Sequence, residues 1–362
     1  MKSVRLVVAG LLFLASSLLL LIALAALHPR IDVARMLLAA NGSIIRGFVG
    51  VAMVGAAVAW LAGRLCRGVS PRFVVASRAV GFLVVVAGIV NIATWMAGLD
   101  RRDVAFVSQD VRLKGTLMLP TGADHPPVAV IVHGSVLLGR DFYAVWGRHL
   151  VREGIGVFVY DKRGTGASEG VVPENNNSVD YLTQLGHDAS AAFSAVQSQP
   201  GIDARRISMI GISQGGWAVP VAASLQTGVF RLAFLSGPVA TTHEEGAFSE
   251  VAGDGGSGAD DHAAIQAGDR AAAGASPGGF DPVPLLTASQ VPGRWFFGDR
   301  DRSIPVTLSK QRLDALRAAG KDVLAVTLAG ADHLLFGRTW LPIGFSAPLM
   351  PQLAAWLRGE AR

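Results

Sequence analysis

A hydroxyl, a carboxylate and an imidazole each stand just past the end of an apolar run in this 362-residue sequence. Ser213 follows the run 207–212, inside GISQGG (211–216). Asp299 and Asp301 follow the run 294–297, inside GDRDRSIP (298–305), and His333 follows 323–328, closing AGADH (329–333). A serine hydroxyl becomes a useful nucleophile when an imidazole takes its proton, and the imidazole needs a carboxylate to hold its tautomer. Gly-x-Ser-x-Gly alone is equally an ordinary strand-to-helix turn, since Ser and Gly are common turn formers. An acid and a histidine placed at matching run ends favour the nucleophile.

The elements that must position these groups lie between 101 and 362. Apolar, β-branched runs recur at 104–107, 113–119, 128–132, 157–160, 207–212, 232–235, 294–297 and 323–328. The later ones are continuous, as in strands covered on both faces. Helical patterns at 141–153, 181–198, 216–226 and 308–319 alternate with them. This alternation predicts a mostly parallel, doubly wound sheet with the first two runs as an antiparallel edge hairpin. Ligands in such sheets bind beyond the carboxyl ends of the strands. HGS (133–135) and DKRGTGAS (161–168) arrive on that same rim. Residues 253–280, with eight Gly and eight Ala, hold too little apolar bulk for a core of their own and read as a flexible insertion, either a flap or a solvated linker.

The first hundred residues differ in kind. They carry nine Lys or Arg against Asp32 and Asp100, so the basic pI belongs to them and a nucleic-acid partner loses its support. Three apolar segments, about 6–27, 44–65 and 79–99, are long enough at 1.5 Å rise per residue to cross a bilayer core of about 30 Å. Residues 1–100 are therefore expected to be a membrane anchor. The first segment is longer than a signal-peptide core and reads as an uncleaved anchor. Lys2 and Arg5 precede it, and Arg64, Arg67, Arg72 and Arg78 crowd the second loop, which points both to the cytoplasm; Arg30, Arg35 and Arg46 temper that bias, and Arg101 and Arg102 oppose it. Three crossings then put 101–362 on the extracytoplasmic side. The single cysteine, Cys66, excludes an internal disulfide, and no His or Cys pair has metal-ligand spacing.

With DKRGTGAS and GISQGGW in view, residues 101–362 resemble the α/β-hydrolase superfamily, in a bacterial branch of esterases and peptidase-like hydrolases related to dienelactone hydrolases and prolyl oligopeptidases. The resemblance implies an α/β-hydrolase fold in which Ser213 sits on a strained strand-to-helix bend, with Gly211 and Gly215 allowing close backbone approach. Gly298, Asp301 and Pro305 match the family's Gly-x-x-Asp-x-x-x-Pro pattern, which favours Asp301 over Asp299 as the acid beside His333; Asp332 reads as a solvated loop acid. Asp161, Arg163, Gly164 and Gly166 resemble a loop-bracing motif. Ile212 stands where the family usually has histidine, which alters the pocket floor.

A developing oxyanion needs two fixed N–H donors. The expected ones are the amides of Gln214 and Ser135, with Gly134 and His133 shaping the second loop, His133 through hydrogen bonds. The expectation is a membrane-anchored serine hydrolase acting on carboxylic esters, without cofactor or metal. The same groups would serve a peptidase, an amidase or a thioesterase. A non-catalytic displayed module is the reading from another class. The dienelactone hydrolases proper use a cysteine nucleophile, and Cys66 lies in the membrane part.

Overall fold

The computed structural model describes residues 2–28, 31–40, 43–67, 70–256, 258–276, 278–338 and 342–360. The chain divides into two compact units, Met1–Ala97 and Gly98–Arg362.

The first unit contains α1 (Lys2–Leu27), α2 (Asp32–Ala39), α3 (Ile44–Leu65) and α4 (Pro71–Met96). Its segments Ser3–Leu27, Ile44–Leu65 and Pro71–Met96 are each long and apolar enough to cross a membrane. Two buried polar side chains inside these helices find backbone partners: Ser16 Oγ donates to Gly55 O at 2.9 Å and Asn91 Nδ2 to Ala23 O at 2.8 Å. The third long helix starts and ends earlier than the expected 79–99. Ser70 caps it by accepting from Phe73 N at 3.3 Å, and Pro71 occupies the first turn, where its missing N–H costs nothing. Arg72 and Arg78, which cut the apolar run short in the sequence, are exposed within the helix. Arg30 lies outside the described residues.

The second unit opens with β1 (Leu99–Ser108), β2 (Val111–Pro120), β3 (Val128–Val132), α5 (Arg140–Arg152), β4 (Gly156–Tyr160), α6 (Val179–Gln197), β5 (Ile207–Ile212), α7 (Gly215–Leu225) and β6 (Leu232–Leu235). It continues through α8 (Thr242–Ala252), α9 (Asp261–Ala273), α10 (Val283–Ala288), β7 (Gly293–Gly298), α11 (Val306–Ala318), β8 (Val323–Leu328), β9 (Phe336–Arg338), β10 (Pro342–Phe345) and α12 (Leu349–Arg358). Eight strands form one sheet in the order β1-β2-β4-β3-β5-β6-β7-β8. β1 pairs with β2, and β2 with β4, antiparallel; every later pairing is parallel. Each expected run lies in one of these strands. The strands β3 to β7 are buried along their whole length, which is why their sequences are continuous rather than alternating. Chain order reverses at β3, which lies between β4 and β5, so a crevice opens there at the carboxyl ends. Large aromatics fill the core, with Phe234 stacked on Trp295 at 4.1 Å.

The 253–280 insertion is not a structureless tether. It forms α9, which packs on α8 through Phe248, Ala252 and Ala272, with Ile265 and Leu308 alongside. Arg300 Nε donates to Asp261 Oδ2 at 2.8 Å, Arg302 Nη1 lies 3.5 Å from Asp260 Oδ1 and from Asp261 Oδ1, and Gly255 N donates to Ser303 Oγ at 3.0 Å. Its apolar and ionic partners lie outside the Gly/Ala-rich window, so composition within the window understated its order.

Candidate active site

Ser213 follows β5 directly, with φ of 51°, a left-handed conformation that non-glycine residues rarely adopt. The bend is held by Ser213 N donating to Leu235 O at 2.9 Å and by Gly216 N donating to Ser213 O at 2.7 Å. A Cβ on Gly211 would fall 2.5 Å from Gly215 O, and one on Gly215 2.4 Å from Val132 O. Only glycine fits this junction of β5, α7 and β3.

Two loops bring the other groups to the serine. His333 Nε2 lies 3.0 Å from Ser213 Oγ, and its Nδ1 lies 2.8 Å from Asp301 Oδ2 and 3.0 Å from Oδ1. Asp301 is 1% exposed, and its Oδ1 also accepts from Ser303 N at 2.8 Å and Ile304 N at 3.2 Å. Asp299 turns away and accepts from Gly330 N at 2.7 Å. The histidine loop is pinned where Ser236 Oγ donates to His333 O at 2.7 Å. It is followed by the β9–β10 hairpin, an element the sequence did not suggest. Burial pulls the His333 pKa down, but the charge and hydrogen bond of Asp301, with Asp254 and Glu245, outweigh it and raise it.

Gln214 and Ser135 flank the serine from α7 and from the loop after β3. Among the described residues neither backbone N–H has an acceptor in the protein. Gly134 abuts the serine: a Cβ there would stand 3.3 Å from Ser213 Cβ. His133 departs from expectation. It is buried and stacked on Tyr143 at 3.9 Å, and among the described residues neither ring nitrogen has a hydrogen-bond partner. Burial, then Lys162 and Arg140, hold its pKa well below the ordinary value, so it shapes the loop as a neutral aromatic plate.

The DKRGTGAS loop is held by hydrogen bonds and ion pairs to neighbouring elements. Asp161 accepts from Arg140 N at 2.7 Å and Ala167 N at 2.9 Å and pairs with the Arg140 guanidinium. Arg163 holds Asp188 through two hydrogen bonds, at 2.7 and 2.5 Å, both side chains almost wholly buried. Gly164 and Gly166 both have positive φ in this loop.

A cavity of about 330 Å³ opens over Ser213 and His333. Phe142, Tyr143, Trp146 and Ile212 give it an apolar wall, while Glu245, Asp254 and Asp332 add carboxylates. Asp332 is half-buried and tied down, its Oδ1 accepting from Leu334 N and Phe336 N at 3.0 Å, instead of standing free in solvent. Burial raises Glu245 to about 7, with Asp254 and Asp301 adding to the shift and His333 opposing it. Glu245 and Asp254 belong to no motif, and nothing in their local sequence announces them. Lys162 was legible only as the residue between Asp161 and Arg163; its Nζ donates to Gly134 O at 2.8 Å and to Gln214 Oε1 at 3.0 Å. Among the described residues, no three His, Cys, Asp or Glu group into a metal site.

Comparison with known proteins converges on one architecture. Residues 124–253 match the family described as serine aminopeptidase, S33. A protein of Synechocystis sp. named "Putative carboxymethylenebutenolidase" is 23% identical over 244 residues, 64% of this chain and 85% of that protein. The hyperthermophilic esterase of Pyrobaculum calidifontis superimposes with a TM-score of 0.54 at 18% identity, over 72% of this chain and 85% of that one. The Pyrococcus furiosus esterase gives 0.53 at 16% identity, over 72% and 93%. Sheet order, family match and solved folds agree: Gly98–Arg362 has the α/β-hydrolase fold, and its relatives support a hydrolase of that type.

Proposed function

We propose that this chain is a serine hydrolase that cleaves carboxylic esters through an acyl-enzyme and is held at a bilayer by α1, α3 and α4. One observation carries the reading: the unbroken line from Asp301 through His333 to Ser213, with both contacts at or below 3.0 Å. His333 Nε2 takes the Ser213 proton as Oγ attacks the acyl carbonyl. The free amides of Gln214 and Ser135 receive the oxyanion, a service worth several kcal/mol when both donors are fixed. His333⁺, stabilised by Asp301, then protonates the leaving alcohol; water activated by the same imidazole releases the acid. The hydroxyl at 213, with Cys66 the only cysteine and in the other unit, separates this site from cysteine-dependent dienelactone chemistry.

A second reading on the same groups, hydrolysis of aminoacyl amides, is favoured by Glu245 and Asp254 in the cavity wall, where a substrate ammonium would find partners. Labelling by a fluorophosphonate probe that is lost in Ser213→Ala tests the nucleophile. A folded protein that refuses the probe would point instead to a displayed, non-catalytic module. Rates on p-nitrophenyl esters of increasing chain length, beside aminoacyl anilides, decide between the two substrate classes. The hydrolase unit is assigned to the extracytoplasmic side from Lys2, Arg5 and the arginines around 64–78. A C-terminal reporter active only in the periplasm should then be active, and a silent one reverses the orientation.

A further inference from the structure

Lys162 is 2% exposed, and among the described residues its ammonium pairs with no carboxylate. The nearby acids are occupied: Asp161 of its own loop by Arg140, and Asp188 of α6 by Arg163. A buried cation without a counter-ion is costly, and an apolar side chain would fill the same space more cheaply. What Lys162 touches gives the cost a purpose. The Gly134 carbonyl that it binds belongs to the same peptide group as the Ser135 N–H. A cation at the oxygen draws electron density from the nitrogen and makes that N–H a stronger donor. Its other partner is the side chain of Gln214, whose Nε2 donates to Asn176 O at 2.6 Å and Asn177 Oδ1 at 2.7 Å. Asn176 Nδ2 closes the circuit by donating to Ser135 O at 3.3 Å.

We propose that Lys162 is a positioning residue of the oxyanion hole, which holds and polarises the Gly134–Ser135 peptide and fixes Gln214 from behind the two donor amides. The inference rests on the serine-hydrolase reading and deepens it. Because its charge acts on an anion that exists only during reaction, its effect falls on kcat and spares KM.

The test compares wild type, Lys162→Met and Lys162→Gln as full chains in detergent. The readouts are melting, fluorophosphonate labelling, kinetics on p-nitrophenyl butyrate, and binding of phenylboronic acid, which becomes a tetrahedral anion on the serine. Lys162→Met should lower kcat about 10- to 100-fold, less than loss of a donor itself, leave KM within about twofold, and weaken the boronate about tenfold. Lys162→Gln keeps a donor without the charge and should recover part of kcat. A Met variant with wild-type kcat, or with a loss confined to KM, overturns the inference. Where the Met variant does not fold, the Gln variant decides: kcat lowered at unchanged KM supports the role, and wild-type kcat ends it. Wild type that refuses the fluorophosphonate would remove the hydrolase reading itself, and this inference with it.

Discussion

His333 Nδ1 lies 2.8 Å from Asp301 Oδ2, although 32 residues separate the two in the chain. The carboxylate raises the histidine against the opposing pull of burial. A general base works when neutral, so kcat/KM should climb with pH through a midpoint above the ordinary histidine value of about 6.5. Asp301→Asn removes the raising charge and leaves burial, so the midpoint should move downward, and kcat should fall by roughly 10³–10⁴. A pH–rate profile of both proteins checks this, and an unshifted midpoint would contradict it.

Glu245 makes a stability prediction with a definite sign. Its folded-state pKa of about 7 lies above the ordinary carboxyl value of 4.5, so its ionisation opposes folding. That penalty is absent below about pH 4.5 and complete above 7. Glu245→Gln should therefore melt like wild type at pH 4 and be more stable at pH 8 by about 2 kcal/mol, with the full shift discounted for partial exposure. Its charge also helps raise His333, so the same variant should move the acidic limb of activity to lower pH. Thermal scans at the two pH values are the measurement.

Arg163→Ala leaves Asp188, with 0% exposure, as an unpaired buried carboxylate. Breaking such a pair costs about 3–5 kcal/mol, or roughly 10 °C in melting temperature for a unit of this size. Arg163→Lys, which cannot form the two parallel bonds, should recover only part of it.

Gly215→Ala drives a methyl group to 2.4 Å from Val132 O, so the Ser213 bend must shift. The expected outcome is a loss of about 1–3 kcal/mol in stability together with slow fluorophosphonate labelling. Labelling at the wild-type rate would show that the bend tolerates the displacement.

Much of this is readable in the amino-acid sequence, for reasons that differ by residue. The eight strands were legible because the buried ones are continuous β-branched runs, and Ser213 because its flanking glycines have a steric cause that any sequence with this bend must respect. Asp301 was separable from Asp299 by family spacing alone, and the two aspartates do face different partners. Glu245 was invisible: it sits on a helix with an ordinary capping box, and only the sheet order carries that helix to the cavity. The stacking of His133 was equally hidden, since Tyr143 reaches it from a helix and Tyr160 from a neighbouring strand. The start of α4 was signalled by Ser70 and Pro71 but masked by two arginines.

Both residues beside Asp301 are arginines, and each reaches into the polypeptide that frames the entrance: Arg300 takes Asp261, and Arg302 Nη1 lies 3.5 Å from a carboxylate oxygen of both Asp260 and Asp261. Transplanting a different 253–280 segment, the natural way to re-engineer what enters, would take the carboxylate partners from two guanidinium groups next to the acid. Diversification of selectivity in this scaffold is thus bound to the surroundings of Asp301, and a successful graft must carry its own substitutes for those two carboxylates.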